Sequence, residues 1–172
     1  NVIGIFNKNI ENLIINNDNF LIVEKTDNEL NRKISITSDW DKFKQIGNGA
    51  NPKFLNKNMI SYLRKNEDND YNSLFVYDMK AKDIISQIEG NILNYEILPD
   101  SNIVYVDKNI NKNDFTLKKY SLNNQVTNDI AHFISDKIYY DENRNLVYLN
   151  ITLPFNNKKT EMIYSLDLSK LN

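Results

Sequence analysis

Four apolar runs, each preceded by an asparagine, recur along the 172-residue chain at nearly constant spacing. The four asparagines are Asn19, Asn58, Asn102 and Asn145, so the spacing is about 39 to 44 residues. The runs that follow them are residues 20–23, 59–63, 103–106 and 146–149. A period of this length is typical of repeat architectures, in which each repeat is one supersecondary unit that buries its apolar face against its neighbours.

Each of these runs is the second of up to four in its repeat. First runs lie at 13–15, 52–55, 93–98 and 137–140, and third runs at 33–37, 74–78, 115–121 and 161–167. Weaker fourth runs follow in three repeats, at 43–46, 84–88 and 126–130. Short runs rich in β-branched and aromatic residues, separated by Asn/Asp turns, predict antiparallel strands. Four strands in about 40 to 45 residues predict one blade of a β-propeller.

The second runs support this all-β prediction because they do not alternate between apolar and polar residues. A strand with one face in water alternates, whereas residues 20–23 and 103–106 are apolar throughout, so both of their faces are predicted to be covered. Tyr62, Tyr105 and Tyr148 recur within second runs at intervals of 43 residues. This recurrence predicts that they belong to the blade core or line a central channel.

Residues 128–137 allow two interpretations. Ile130, Phe133 and Ile134 stand at helical spacing, and Asp129 is a suitable N-cap. A helical turn is therefore the alternative to a fourth strand in the third repeat.

The repeats predict one domain, residues 1–172, with blades at 7–46, 47–88, 89–130 and 131–172. The fourth blade lacks a fourth run, and residues 2–6 form an extra apolar run before the first blade. We therefore expect strand 2–6 to complete the last blade and close a propeller-like array of about four blades, since closure removes two exposed sheet edges. The alternatives are a part of a larger propeller and a ring built from two copies of the chain.

The amino-acid composition and charge of the chain limit the kinds of partner that it can bind. The net charge is −2 and the isoelectric point is about 5.5, without a dense Lys/Arg cluster, so we predict no nucleic-acid partner. The apolar runs are too short to cross a bilayer, so we predict no transmembrane segment.

The chain has 31 Asn but only four Gly, and Asn tolerates left-handed backbone, so Asn is expected to occupy turns where Gly is usual.

The residues with catalytic or metal-binding chemistry are few. His132 is the single His, no G-x-S-x-G elbow presents a nucleophile, and Cys is absent, so we predict no catalytic residue and no cofactor. Residues 107–111 and 141–145 both begin like a calcium loop, D-x-N-x-N. Lys112 and Leu146 take the place of the required Gly, and Lys118 that of the required Glu. We interpret both segments as hairpin turns and predict no metal site.

The segment from Gln45 to Leu63 resembles the signature of TolB-type, WD40-like propeller repeats. In that family a blade ends in a short "QLT"-like strand, and the next opens with Pro followed by an aromatic residue, as Pro52 and Phe54 do here. Residues 97–106, ILPDSNIVYV, are similar to the family's "SPDG"-type hairpin and the apolar strand after it, with Asn or Ser in place of the hairpin Gly. The resemblance implies an extracytoplasmic, envelope-associated setting, with a cytoplasmic one as the alternative.

A propeller is rigid and presents loops at two faces, so the predicted function is a non-catalytic binding or scaffold module for a protein partner. Blade topology places the candidate binding residues in loops around the channel mouth, with Tyr71 on a neighbouring loop. These residues are Asn48, Asn51, Tyr71, Asn91 and His132. The alternatives are an accessory propeller of a hydrolase and a carbohydrate-binding propeller. The oligomeric state stays open.

Overall fold

The computed structural model describes residues 10–16, 21–26, 31–37, 42–66, 71–109, 114–133, 138–155 and 158–170. These residues form 15 β-strands and two short 3₁₀ turns, Pro99–Ser101 and Leu168–Lys170, with no α-helix among them. Within the same ranges, no helix has the length and apolar character needed to span a membrane. The chain divides into two compact units, Asn1–Ile88 and Glu89–Asn172.

The first unit contains two four-stranded antiparallel sheets, each with its strands in chain order. The first sheet comprises β1 (Ile10–Ile15), β2 (Leu21–Thr26), β3 (Arg32–Thr37) and β4 (Lys44–Asn48). The second comprises β5 (Ala50–Asn56), β6 (Met59–Lys65), β7 (Asn72–Asp78) and β8 (Asp83–Ile88). Each strand of a sheet pairs antiparallel with the next one in the chain.

The core of the first unit lies between its two sheets. Ile22 and Ile34 of the first sheet pack with aromatic and apolar residues of the second. Those residues are Ile60, Tyr62, Phe75 and Tyr77. The rings of Tyr62 and Phe75 stack with centroids 5.9 Å apart. All six positions fall in predicted second and third runs, so the most apolar strands form the core.

The second unit repeats this plan with a four-stranded and a three-stranded sheet. Its strands are β9 (Ile92–Ile97), β10 (Asn102–Lys108), β11 (Phe115–Ser121), β12 (Val126–Phe133), β13 (Ile138–Asp141), β14 (Leu146–Phe155) and β15 (Lys158–Asp167). Val104, Val106 and Leu117 of the four-stranded sheet form a buried cluster with Val147 and Leu149 of the three-stranded one.

The predicted all-β, blade-like architecture is confirmed, and a described strand overlaps each first, second, third and fourth run of the four repeats. Residues Ile103 to Val106 of β10 are buried on both faces, as their unbroken apolar pattern predicts. The helical alternative is wrong for the part of residues 128–137 that the structure describes, because β12 continues to Phe133. Residues 134–137 lie outside the described residues.

A β-bulge explains why that stretch looks helical in sequence. The pairing of β11 with β12 shifts register between Leu117 and Lys118, which leaves Ile130 as an extra residue on β12. The bulge lets both Ile130 and Phe133, three residues apart, pack against the core. Corresponding shifts leave Ile46 extra on β4 and Ile85 extra on β8, so the bulge recurs in three sheets.

Left-handed backbone occurs at turns without glycine. The described non-glycine residues with positive φ are Asn51 at 54°, Lys82, Ser101, Gln125 and Asn145 at 53°, so Asn occupies two of these five positions. Ser101, at 60°, stands where the hairpin Gly of the TolB-type signature would be. No glycine among the described residues has positive φ.

Two sequence predictions remain predictions. Strand 2–6 lies outside the described residues, so closure of the array by that strand is untested, and the three-stranded sheet has no fourth strand among the residues described. The assignment of residues 1–172 to a single domain with the stated blade limits also stays a prediction.

Candidate functional site

The crossover between the two sheets of the first unit is held by backbone hydrogen bonds. The Gly49 N–H donates to the carbonyl oxygen of Arg32 at 2.9 Å. The Asn51 N–H donates to Oε2 of Glu24 at 3.1 Å. Asn48, the last residue of β4, pairs with Lys33. The crossover is therefore attached to β2 and β3 before the chain enters the second sheet.

Two glycines let this crossover lie directly on β6. A Cβ at Gly49 would lie 2.6 Å from the carbonyl oxygen of Leu63 and 2.6 Å from Cδ2 of Tyr62. A Cβ at Gly47 would lie 2.9 Å from the Tyr62 hydroxyl oxygen. Any side chain at either position would push the crossover away from the second sheet.

A cleft of about 740 Å³ opens beside the crossover, inside the first unit. It is lined by Asn31, Arg32, Asn48, Gly49, Ala50, Leu63, Arg64, Lys65 and Asn72. Among the described lining residues, three side chains are cationic, three are amides, and none is acidic. The lining comes from the ends of β4 and β6 and the starts of β3, β5 and β7, so several hairpins contribute to one cleft.

Within the part of the chain that the structure describes, the Glu24 carboxylate lies close to the cleft, and it is already paired. Glu24 is 3% exposed, and its Oε1 is 3.3 Å from Nη1 of Arg32, which is 55% exposed. Its other oxygen, Oε2, accepts the Asn51 N–H. Burial of a charge is tolerated when both oxygens have donors, so Glu24 is a structural residue of the crossover.

Arg64 lies on the face of β6 that contacts the first sheet. Its guanidinium carbon is 3.9 Å from the centroid of the Phe75 ring, a cation–π contact that orients the guanidinium plane. Ser73 is directly cross-strand from Arg64, is fully buried, and its Oγ has no hydrogen-bond partner among the described residues. The buried Tyr62 hydroxyl also has none there. Burial raises the pKa of Tyr62, against the opposing charge of Arg64, so this hydroxyl is protonated at neutral pH.

The sequence matches no family model and no curated protein. Solved structures do match it. TolB from Acinetobacter baumannii aligns with a TM-score of 0.67 and 15% identity, over 97% of this chain and 43% of that one. The β-propeller domain of the trilobed protease from Pyrococcus furiosus aligns with a TM-score of 0.66 and 16% identity, over 92% of this chain and 54% of that one.

A third similar structure is the acylaminoacyl peptidase of Pyrococcus horikoshii, with a TM-score of 0.66 and 12% identity, over 92% of this chain and 30% of that one. This chain has a TolB-like β-propeller fold. The TolB-like chain spans between about a third and about half of the length of these three structures.

The predicted binding residues lie in both units of the TolB-like fold. In the first unit, Asn48 lines the cleft and Asn51 anchors the crossover. Tyr71 immediately precedes Asn72 of the lining, and its carbonyl oxygen accepts the Asn66 N–H at 2.7 Å. Of these three residues, only Asn48 belongs to the described lining of the cleft.

Asn91 and His132 belong to the second unit. The Asn91 N–H donates to Oδ1 of Asp107 at 3.0 Å, and Oδ2 of Asp107 is 2.8 Å from Nζ of Lys118. His132 is exposed on β12, with Nδ1 3.0 Å from Oγ1 of Thr116. Asn91 thus has a structural role in its turn, and His132 lies within an outer strand.

Of the two calcium-like segments, the one that begins at Asp141 has hydrogen bonds typical of a turn. Asp107 belongs to β10 and pairs with Lys118, while residues 110–113 lie outside the described residues. Oδ1 of Asp141 accepts the main-chain N–H groups of Asn143 and Arg144. Such bonds from an Asp side chain to the following backbone stabilise a hairpin turn, which supports the interpretation of this segment as a hairpin.

The sequence analysis missed the cationic residues of the cleft. Arg32, Arg64 and Lys65 are adjacent in space but come from two hairpins about 32 residues apart in the chain. The pattern of residues along one strand does not show that residues from distant hairpins line the same cleft. The available signal was a polar residue directly after the apolar run of a second strand, as at Glu24, Arg64 and Asp107.

Proposed function

We propose that this TolB-like propeller is a non-catalytic binding module for a protein partner in an extracytoplasmic, envelope-associated setting. The observation that carries the proposal is the open cleft at the crossover, lined by three cations and three amides. Donor-rich side chains on a rigid sheet scaffold suit the recognition of another chain, because little ordering is needed on binding. The setting is supported by the similarity to TolB.

In the first unit, Asn48, Asn51 and Tyr71 together with Arg64 are the proposed binding residues at and beside the cleft. Asn91 and His132 of the second unit are separate candidate binding residues. Tyr and Arg are enriched among residues that dominate binding energy at protein interfaces. We expect the cleft to contribute most of the affinity because its cationic side chains are concentrated in one place.

A site-specific photo-crosslinker at Asn48 tests the proposal in cells that express the chain. The matched control carries the crosslinker at Asn124, an exposed turn residue of the second unit. One protein is expected to crosslink from position 48 and not from position 124. With that protein purified, Asn48→Ala and Tyr71→Ala are expected to weaken binding by about tenfold, and Asn124→Ala to leave it unchanged. Equal crosslinking from both positions, or equal affinity of all variants, would reject the site.

An accessory propeller of a hydrolase is the second candidate function. Two of the similar structures are named for a protease and a peptidase, which favours it. In that case the gene would also encode a catalytic domain with a G-x-S-x-G nucleophile elbow. Reading the adjoining sequence tests this, and a complete gene without such a domain would reject it.

A further inference from the structure

We propose that the Asn48–Gly49 peptide is a site of spontaneous deamidation, which the folded chain restrains through a backbone hydrogen bond of the crossover. The reaction converts Asn48 to aspartate or isoaspartate and releases ammonia, with water as the co-reactant. This modification goes beyond the proposed function and does not rest on it, since it concerns the chain without any partner.

Asn48 differs from the other asparagines in the residue that follows it. The chain has 31 Asn, and only Asn48 is followed directly by Gly. Because Gly has no side chain, its main-chain nitrogen can approach the preceding Asn side chain without steric hindrance. Asn48 is also exposed, at the end of β4, so water reaches its side-chain amide. The reactive sequence and the exposure therefore coincide at this peptide.

The nucleophile is the main-chain nitrogen of Gly49. It attacks Cγ of Asn48 and forms a C–N bond, and the side-chain nitrogen leaves as ammonia with the proton that the Gly49 nitrogen gives up. The product is a succinimide ring, which water then opens at either carbonyl carbon. Opening at Cγ gives aspartate at position 48. Opening at the main-chain carbonyl carbon gives isoaspartate, in which the main chain runs through Cγ.

In the folded chain this nitrogen is held by a hydrogen bond. The Gly49 N–H donates to the carbonyl oxygen of Arg32 at 2.9 Å, and Asn48 pairs with Lys33 of β3. The attack requires that this hydrogen bond breaks and that the end of β4 rotates out of its extended conformation. The reaction is therefore slow in the closed chain and proceeds through local opening of the crossover.

Glu24 restrains that opening on both sides of Gly49. Its Oε1 is 3.3 Å from Nη1 of Arg32, and its Oε2 accepts the Asn51 N–H at 3.1 Å. The buried carboxylate thus connects the residue that accepts the Gly49 hydrogen bond to a residue that follows Gly49. Hydrogen bonds to a buried charged group are stronger than those in water, so loss of Glu24 is expected to favour opening.

The isoaspartyl product fits this position poorly. It adds a methylene group to the main chain directly before Gly49. A Cβ at Gly49 would already lie 2.6 Å from the Leu63 carbonyl oxygen, so a longer main chain has no room beside β6. Isoaspartate at position 48 is therefore expected to loosen the crossover. Aspartate keeps the length of the main chain and adds a charge cross-strand from Lys33.

The first experiment compares the folded full chain with a synthetic peptide of residues 44–54 in mildly alkaline buffer. Peptide mapping by mass spectrometry follows the mass increase at Asn48 as the amide becomes an acid. We expect the peptide to react at least about tenfold faster, because no hydrogen bond holds its Gly49 nitrogen. Asn48→Gln in the peptide is the chemical control and is expected to react far more slowly, since its longer side chain must form a larger ring.

Variants then test whether opening of the crossover limits the rate in the full chain. Glu24→Ala is expected to react about tenfold faster than the unchanged chain, and Glu24→Gln by an intermediate factor, since Gln keeps one acceptor oxygen. Val147→Ala removes buried volume from the second unit and is the matched control for a general loss of stability. It is expected to leave the rate unchanged. Circular dichroism verifies that each variant is folded during the incubation, and Glu24→Gln carries the test if Glu24→Ala does not fold.

The products test the close packing of Gly49. Ion-exchange chromatography separates the deamidated chain, and an isoaspartyl methyltransferase assay identifies the fraction that contains isoaspartate. That fraction is expected to have a lower urea midpoint than the unmodified chain. Asn48→Asp, which keeps the length of the main chain, is expected to have a midpoint close to that of the unmodified chain.

Several results would overturn the proposal. These are no mass increase at Asn48 in the peptide, equal rates in the peptide and the folded chain, unchanged rates in the Glu24 variants, or an equal acceleration by Val147→Ala. An isoaspartyl fraction as stable as the unmodified chain would contradict the predicted loosening. No partner enters these measurements, so their outcome and that of the crosslinking experiment are independent of each other.

Discussion

The main-chain N–H of Asn51 donates to Oε2 of Glu24 at 3.1 Å and so joins the start of β5 to β2 of the preceding sheet. The other carboxylate oxygen, Oε1, is 3.3 Å from Nη1 of Arg32, at the start of β3. One buried acid therefore connects both sheets of the first unit at the edge of the cleft. This contact sets the position of the crossover that carries Asn48.

Replacing Glu24 by Ala is expected to lower the free energy of unfolding by about 2 to 4 kcal/mol, because it leaves the Asn51 N–H and the Arg32 guanidinium without their acceptor. Urea denaturation followed by circular dichroism measures this. Glu89→Ala, at an exposed acid outside the crossover, is the matched control and is expected to change stability by less than about 0.5 kcal/mol. A Glu24→Ala chain as stable as the control would show that the contact does not stabilise the unit.

Gly47 and Tyr62 are expected to be energetically coupled. Gly47→Ala places a Cβ 2.9 Å from the Tyr62 hydroxyl and is expected to destabilise the chain by about 1 to 3 kcal/mol. Tyr62→Phe removes a buried hydroxyl that has no partner among the described residues, so it is expected to cost little. The double variant is expected to be more stable than the sum of the single changes by at least about 0.5 kcal/mol. Strict additivity in urea titrations would contradict the close approach.

Lys82, in the turn between β7 and β8, tests whether a left-handed backbone conformation at a non-glycine residue lowers stability. Lys82 has φ 59°, a conformation that glycine adopts without the Cβ penalty, so Lys82→Gly is expected to raise stability by up to about 1 kcal/mol. Lys80 lies in the same turn without positive φ, and Lys80→Gly is expected to lower stability instead. The two thermal midpoints should therefore move in opposite directions. A shift of both in the same direction would reject the explanation.

The free energy of unfolding is expected to fall at high pH. Burial raises the pKa of Tyr62 and Tyr105 above the ordinary 10.0, and the hydrogen bond to Asp107 raises the pKa of Lys118 above the ordinary 10.5. For each group the folded pKa exceeds the unfolded one. Its contribution is therefore complete below the unfolded pKa and is lost as the pH rises through the folded pKa.

Urea midpoints measured between about pH 8 and pH 11 test this sign, since tyrosine and lysine titrate near the upper end of that range. Tyr105→Phe is expected to reduce the loss of stability, because one buried hydroxyl no longer ionises. Tyr139→Phe, at a side chain that is 64% exposed, is the control and is expected to leave the pH profile unchanged. Stability that rises with pH over this range would contradict the assigned shifts.

Local patterning was sufficient to predict the strands. β10 shows why, since four consecutive apolar residues from Ile103 to Val106 can be buried on both faces only inside a stack of sheets. The bulge at Ile130 shows where such patterning becomes ambiguous. One extra residue changes which side chains share a face, and the resulting spacing of Ile130 and Phe133 is the same as in a helix.

The sequence by itself determined the order and the approximate limits of the described strands, because alternation and apolar runs act between residues close in the chain. Only the tertiary structure decided that Arg32, Arg64 and Asn72 line one cleft and that Glu24 is paired beneath it. These residues meet because the crossover at Gly49 packs on β6, where a Cβ would not fit. The packing of one sheet on another sets that contact, and no local pattern encodes it.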